Sequence, residues 1–197
     1  IASELVASLD MDRVLSKALV LLQRAVQADR GSVILLDHNT GRLLYRAVIG
    51  YEQPIPPGGK PAPFTRGDSL VGWVLEKKEA VILPDIREDE RSGDPLNDMG
   101  ATMVVPIQGN AGEGMGVILL QSEDVDVFDK MHLQLVEAAA IQLGNALNNA
   151  ELYGMIRDQA ERLGGMLRGQ RIEAAKNEAI LEGIADGVMV ADPDGRV

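Results

Sequence analysis

The sequence predicts an α+β fold, an antiparallel sheet of five to six strands flanked by helices and extended by a long C-terminal helix. Two observations predict it. Short apolar runs of strand length come in pairs around turn-forming residues, which makes tight hairpins and excludes the long crossovers of a parallel sheet. Apolar residues at three- and four-residue steps open the chain and return over its last third, which makes helices at both ends.

Residues 3–28 carry Leu5, Leu9, Val14, Leu15, Ala18, Leu22, Ala25 and Val26 at helical spacing, with Ser8 and Asp10 as internal caps from which the helix could restart near Met11. The runs Ser32–Leu36 and Leu43–Ile49 flank Asp37-His38-Asn39-Thr40-Gly41, a hairpin turn. Gly50 to Gly67 holds five prolines and four glycines and reads as a long loop. Asp68–Lys78 is a short helix capped by Asp68, and Ala80–Leu83 a brief strand. Residues 85–98 are polar and acidic, a loop or one irregular turn. Thr102–Ile107 and Met115–Leu120 form a second hairpin around Gly109–Gly114, and helical spacing resumes at Met131. Two hairpins and a lone strand give at least five strands, with the first and last helices on one face and part of residues 50–98 on the other. A pocket between sheet and loops is expected.

A length of 197 residues suits one domain with an appendage. Hydrophobic content is 46% but aromatics are only 3%, so the core is aliphatic. With no cysteine, the chain has no disulfides, thiolate metal sites, cysteine nucleophiles or thiol for attaching a chromophore. That usage fits a reducing compartment and a cytoplasmic location. Thirty acidic against 19 basic side chains give a net charge of −11, which disfavours binding to a phosphate backbone. No apolar stretch approaches the roughly 20 residues of a membrane span, and no signal segment opens the chain. The chain ends at Val197 inside what reads as a hairpin, as a fragment of a longer protein would.

Several motifs suggest chemistry. Gly67-Asp68-Ser69-Leu70 resembles the opening block of the GDSL hydrolases, and Asp129-Lys130-Met131-His132 their closing pattern, a nucleophile, base and orienting acid. Such a serine should follow a buried strand, yet Ser69 follows Pro61-Ala62-Pro63-Phe64-Thr65-Arg66, and the Ile107-to-Met115 connection is a hairpin where a crossover is needed. Four glycines within Gly109–Gly116 lead into a strand and lack the Lys-Ser/Thr pair and helix of a phosphate cradle. His38 and His132 have no partner by spacing, so haem and metal are unsupported.

The order of segments resembles a GAF domain, a small-molecule-sensing and dimerising module of signalling proteins. The opening helix is followed by Ala28-Asp29-Arg30-Gly31-Ser32-Val33-Ile34-Leu35-Leu36, then Leu70-Val71-Gly72-Trp73-Val74 and Val81-Ile82-Leu83-Pro84-Asp85. Met103-Val104-Val105-Pro106-Ile107, Gly116-Val117-Ile118-Leu119-Leu120 and Asp126–Leu152 complete it. The cysteine that attaches a bilin in phytochrome-type members is missing, as is the Asn-Lys-Phe-Asp-Glu signature of cyclic-nucleotide binders. The resemblance thus implies a pocket without naming its ligand, and by family geometry points to Phe64, Trp73, Asp85, Met103 and Met115. Asn177–Val197, with Asp192-Pro193-Asp194-Gly195, resembles the opening of a PAS domain, in which Val188–Val190 would be poorly protected without the rest.

The expected organisation is a GAF-like domain over 1–152, a coiled-coil helix over 153–182 and the start of a PAS-like domain over 183–197. An alternating spacing picks out Tyr153, Ile156, Ala160, Leu163, Leu167, Gln170, Ala174, Asn177, Leu181 and Ile184 as the seam of a parallel homodimer. Gly164, Gly165 and Gly169 each cost about 1 kcal/mol in a helix interior and mark a soft segment of a continuous helix. The resemblances imply a regulatory, non-enzymatic module of a sensor histidine kinase, relaying ligand or conformational state to a PAS domain and an output domain downstream. A nucleotide cyclase, a transcriptional regulator and a ligand-free dimerisation domain are the alternatives.

Overall fold

The computed structural model describes residues 2–37, 40–51, 59–64, 69–91 and 98–185, and it divides into two compact units, Ile1–Glu151 and Leu152–Val197. In the first unit a six-stranded antiparallel sheet runs β3-β2-β1-β6-β5-β4. Its strands are β1 (Arg30–Leu36), β2 (Leu43–Ile49), β3 (Lys60–Pro61), β4 (Val81–Leu83), β5 (Thr102–Gln108) and β6 (Gly114–Gln121). The α-helices are α1 (Ala2–Val26), α2 (Leu70–Lys77) and α3 (Lys130–Ala185), and Ile86–Glu88 form one 3₁₀ turn. The short strand β3 lies in the stretch that the sequence marks as a long loop with little regular structure. Helix α1 runs through Met11 without the restart that Ser8 and Asp10 suggested.

Apolar side chains sort onto the two faces of the sheet. On one, which we call the helix face, α1 contributes Leu15, Leu19, Leu22 and Val26, and α3 contributes Val136, Ala140, Leu143 and Leu147. Both quartets follow the four-three-four spacing that aligns residues on one side of a helix. They pack on Val33, Leu35, Ala47, Met103, Val105, Ile107, Ile118 and Leu120. A leucine buried in this way contributes about 2 kcal/mol. On the opposite, loop face, Leu70, Val71, Val74 and Leu75 of α2 cover Ile34, Val104, Val117 and Leu119, with Phe64, Ile86 and Met99 beside them. The cap of α2 is Ser69, whose hydroxyl accepts from Gly72 N–H at 3.1 Å; Asp68, expected there, lies outside the described residues.

Two β-bulges decide which residues reach which face. Between Val33 and Ile34, β2 carries one extra residue, Arg46, so Leu43 and Tyr45 point to the loop face while Ala47 and Ile49 point to the helix face. Arg46 reaches α1 instead, where its guanidinium pairs with Asp12 at 2.6 Å. The second bulge lies opposite Ile107 and Gln108, and Met115 is its extra residue. Pro106 stands beyond the three residues of β5 that pair with β4, where a missing N–H costs no ladder bond on that side.

In the second unit α3 continues as helix through Gly164, Gly165 and Gly169. Tyr153, Ile156, Ala160, Leu163, Leu167, Gln170, Ala174 and Asn177 are all exposed along it. Leu181 and Ile184 belong to the helix, but their side chains, like Val188–Val190 and the rest of the PAS-like segment, fall outside the described residues.

Candidate functional site

The loop face has an apolar half and a polar end. Across β1, β6 and β5, Arg30 pairs with Gln121, and Gln121 with Thr102. One row further in, Ser32 pairs with Leu119 and Leu119 with Val104; beyond that the face is apolar. Thr102, Gln121 and Ser32 are buried, and Gln121 Nε2 donates to Thr102 Oγ1 at 3.4 Å. Ser32 Oγ has no hydrogen-bond partner of good geometry among the described residues.

Three rings line the side of this end. Tyr45 lies 6.3 Å from Tyr51 in a tilted contact and 6.1 Å from Phe64 in an edge-to-face one, the latter an arrangement that aromatic quadrupoles favour. Gly50 delivers Tyr51 to this place: with φ +77°, its Cα approaches the Asp29 carbonyl so closely that an added Cβ would stand 2.2 Å from that oxygen. The Arg30 guanidinium lies 5.8 Å from the Tyr51 ring centre and binds Asp98 at 2.6 Å. Burial raises the Tyr51 hydroxyl above its ordinary value, with Ser32 and Arg30 pulling more weakly the other way. Burial likewise raises Tyr45, so both phenols stay protonated near neutral pH.

The structure does not assemble the five residues that family geometry suggested. Phe64 belongs to the loop-face cluster beside Tyr45. Trp73 packs against the same cluster, but its ring is covered by the Arg91 guanidinium at 4.7 Å, itself held by Asp89. Asp85 caps the 3₁₀ turn and grips Arg87 through both oxygens, a local structural task. Met103 and Met115 lie on the helix face, across the sheet from Phe64. Met103 is there because it shares the alternation of Val105 and Ile107, and Met115 because the bulge turns it there. The polar end is instead built from Arg30, Ser32, Tyr51, Thr102 and Gln121, none of which the sequence singles out as a site residue. Ser32, the polar residue of the apolar run Ser32–Leu36, is the available signal, since a polar residue in a buried strand needs a partner.

The hydrolase constellation is likewise divided by the sheet. Ser69 is buried over the loop face as the cap of α2, while His132 lies against Phe128 of the helix-face cluster. Asp129 and His132 bond each other at the start of α3: His132 N–H donates to Asp129 Oδ1 at 2.8 Å and Asp129 N–H to His132 Nδ1 at 3.4 Å. This is a helix-capping exchange. Among the described residues, no three His, Asp or Glu side chains come together to hold a metal ion.

His132 also borders a cleft of about 300 Å³ at the root of α3, with Val26, Gln27, Asp29, Ser122, Asp124 and Val127. Asp29 ties the end of β6 to the start of β1, accepting from Glu123 N–H at 2.9 Å and Ser122 Oγ at 2.8 Å. These bonds, the Glu123 amide foremost, hold the Asp29 carboxyl below its ordinary 3.8. A lowered folded-state value stabilises the fold above the ordinary value and is lost as pH falls through and below it. Replacing Asp29 by Asn should therefore flatten the loss of thermal stability between neutral pH and about pH 3. Circular dichroism melts of both proteins across that range are the check; parallel curves would refute it.

A GAF-domain family model matches residues 10–147, and the chain belongs to the GAF domain family. It is 28% identical over 163 residues to a probable 3′,5′-cyclic phosphodiesterase, pde-5, of Caenorhabditis elegans, covering 77% of this chain and 22% of that protein. The chain thus spans about a fifth of the curated relatives it matches. The GAF domain of an Acinetobacter phosphoenolpyruvate-protein phosphotransferase superposes with a TM-score of 0.65 at 23% identity, covering 78% of this chain and 91% of that one. A domain from a Sinorhizobium meliloti protein described as a two-component sensor histidine kinase gives 0.56 at 19% identity, over 74% and 95%. At these identities the structures share the fold. The chain is a GAF regulatory domain, and no helix among its described residues is long and apolar enough to cross a membrane.

Proposed function

We propose that this chain is the sensor and dimerisation module of a multidomain, cytoplasmic signalling protein of the sensor histidine kinase type. A change on the loop face is relayed through α3 to a PAS domain and an output domain. The observation that carries the proposal is α3 itself. Its first turns give Val136, Ala140, Leu143 and Leu147 to the core beneath the sheet, and the same unbroken helix then presents exposed Tyr153, Ile156, Leu163 and Leu167 at coiled-coil spacing. One helix thereby contributes both to the sensor core and to the seam of a parallel homodimer, and a ligand acts on it by favouring one packing over another. The fragment itself performs no catalysis in this reading. A second reading, a scaffold with no ligand, draws on the apolar half of the loop face, which α2, Phe64, Ile86 and Met99 already fill.

Native mass spectrometry of the purified chain separates the two. A retained small-molecule mass, with altered hydrogen exchange over 153–180 once it is stripped, is the result expected of a sensor. Repeated absence of any mass after broad metabolite screening would leave the scaffold.

A further inference from the structure

We propose that the polar end of the loop face binds the carboxylate of a small organic acid, with Arg30, Ser32 and Tyr51 as its donors. The inference rests on the sensor reading and gives its ligand a chemical class.

Ser32 is the first argument. Its side chain is 0% exposed, within a central strand, and its hydroxyl makes no hydrogen bond of good geometry among the described residues, with the Tyr51 hydroxyl as its polar neighbour. A buried hydroxyl without a well-formed hydrogen bond is rare enough to need a reason, and a bound acceptor shared with Tyr51 is one. Arg30 follows from the strand geometry: two residues away, it projects from the same side of β1 about 7 Å along the strand. The Tyr51 hydroxyl, kept protonated by burial, completes a set of donors beside one cation. Gln121 donates to Thr102, and the two close the row.

Asp98 is the second argument. It shows that Arg30 at this position accepts a carboxylate, at 2.6 Å. The Asp98 side chain is 57% exposed against 30% for Arg30, so the internal carboxylate is the outermost member of the group. An incoming acid would take over the guanidinium and add the Ser32 hydroxyl, to which Asp98 makes no bond. One guanidinium, with Asp98 and Glu123 acting on it, matches a single negative charge better than a phosphate dianion. The neighbouring Tyr45, Tyr51 and Phe64 rings would take a short apolar or carbonyl-bearing body.

Isothermal titration of the 197-residue chain at constant ionic strength tests this with acetate, propionate, pyruvate and malonate. Propionamide, inorganic phosphate and adenosine monophosphate are the comparison ligands. Saturable binding of at least one carboxylate, with propionamide inert and phosphate weaker, is expected. Ser32→Ala should weaken it about tenfold and Arg30→Gln on the order of 100-fold, since bonds to a charged group are the stronger ones. Asp98→Asn should tighten it, because it removes the competing carboxylate; a purely structural role for Asp98 gives no such gain. Absence of carboxylate binding by protein with a normal melting transition would overturn the proposal, as would unchanged binding in Ser32→Ala and Asp98→Asn. Binding of adenosine monophosphate alone, with altered exchange over 153–180, would overturn the carboxylate and spare the sensor. Carboxylate binding with the expected variants but unaltered exchange in α3 would support the site and remove the relay.

Discussion

Replacing Leu163 and Leu167 together by Glu should leave the chain monomeric by size-exclusion chromatography with light scattering, where the proposed seam requires the parent to run as a dimer. Both side chains are exposed on α3, at 61% and 59%, in a stretch where the helix shows no other cover. Pairing two helices would bury four leucines, each contributing about 2 kcal/mol. The double substitution replaces them with four carboxylates along one seam and takes the charge of each chain from −11 to −13 (−11 − 2). Polar Gln170 and Asn177 in the same seam make the pairing weak enough for this to decide it. Ile172 is the control. It is 70% exposed and equally apolar, but falls on the opposite side of the helix from the seam. Ile172→Glu should remain dimeric, and a dimer that survives the double substitution would remove the proposed seam.

Gly144→Val should lower the melting temperature by roughly 10 °C, from about 3 kcal/mol of overpacking. Helix α3 crosses the end of β5 at this residue, and an added Cβ would stand 2.1 Å from the backbone carbonyl oxygen of Gln108. Neither strand nor helix backbone can yield cheaply, so α3 has to lift, taking Leu143 and Leu147 out of the core. Gly154→Ala, ten residues further along the same helix, meets nothing within 4 Å. It should instead stabilise α3 by about 1 kcal/mol through helix propensity alone. Melting curves of the two variants should therefore move in opposite directions; a shift of the same sign would contradict the packing described for Gly144.

The fold was legible because it depends on periodicity. Leu15, Leu22 and Val26 repeat as a helix must, and the two hairpins announce themselves by their turns. The α3 quartet Val136, Ala140, Leu143 and Leu147 could be read in the same way. The site was less legible because it depends on which face each strand residue takes, and a bulge reverses that without a strong local signal. Met115 looks like a partner of Val117 by simple alternation, yet points to the other side of the sheet. Arg30 and Tyr51 meet only because Gly50 turns the chain back over the end of β1, a tertiary approach invisible in either residue's neighbourhood. Family geometry points to Trp73 as a pocket residue, but Arg91, some eighteen residues away, occupies its ring.

The bulge at Met115 also bears on how this strand can change in length over evolution. Gly116 pairs with Ile107 and Gly114 with Gln108, so loss of Met115 would close the ladder into regular pairing and leave every later residue of β6 where it is. Loss of Ile118 would instead carry the residues on one side of the gap through the sheet, bringing core side chains out and surface ones in. A deletion is thus tolerable at one position of β6 and ruinous at its neighbours. Relatives of this domain that differ by a single residue in the second hairpin can still share the same interior.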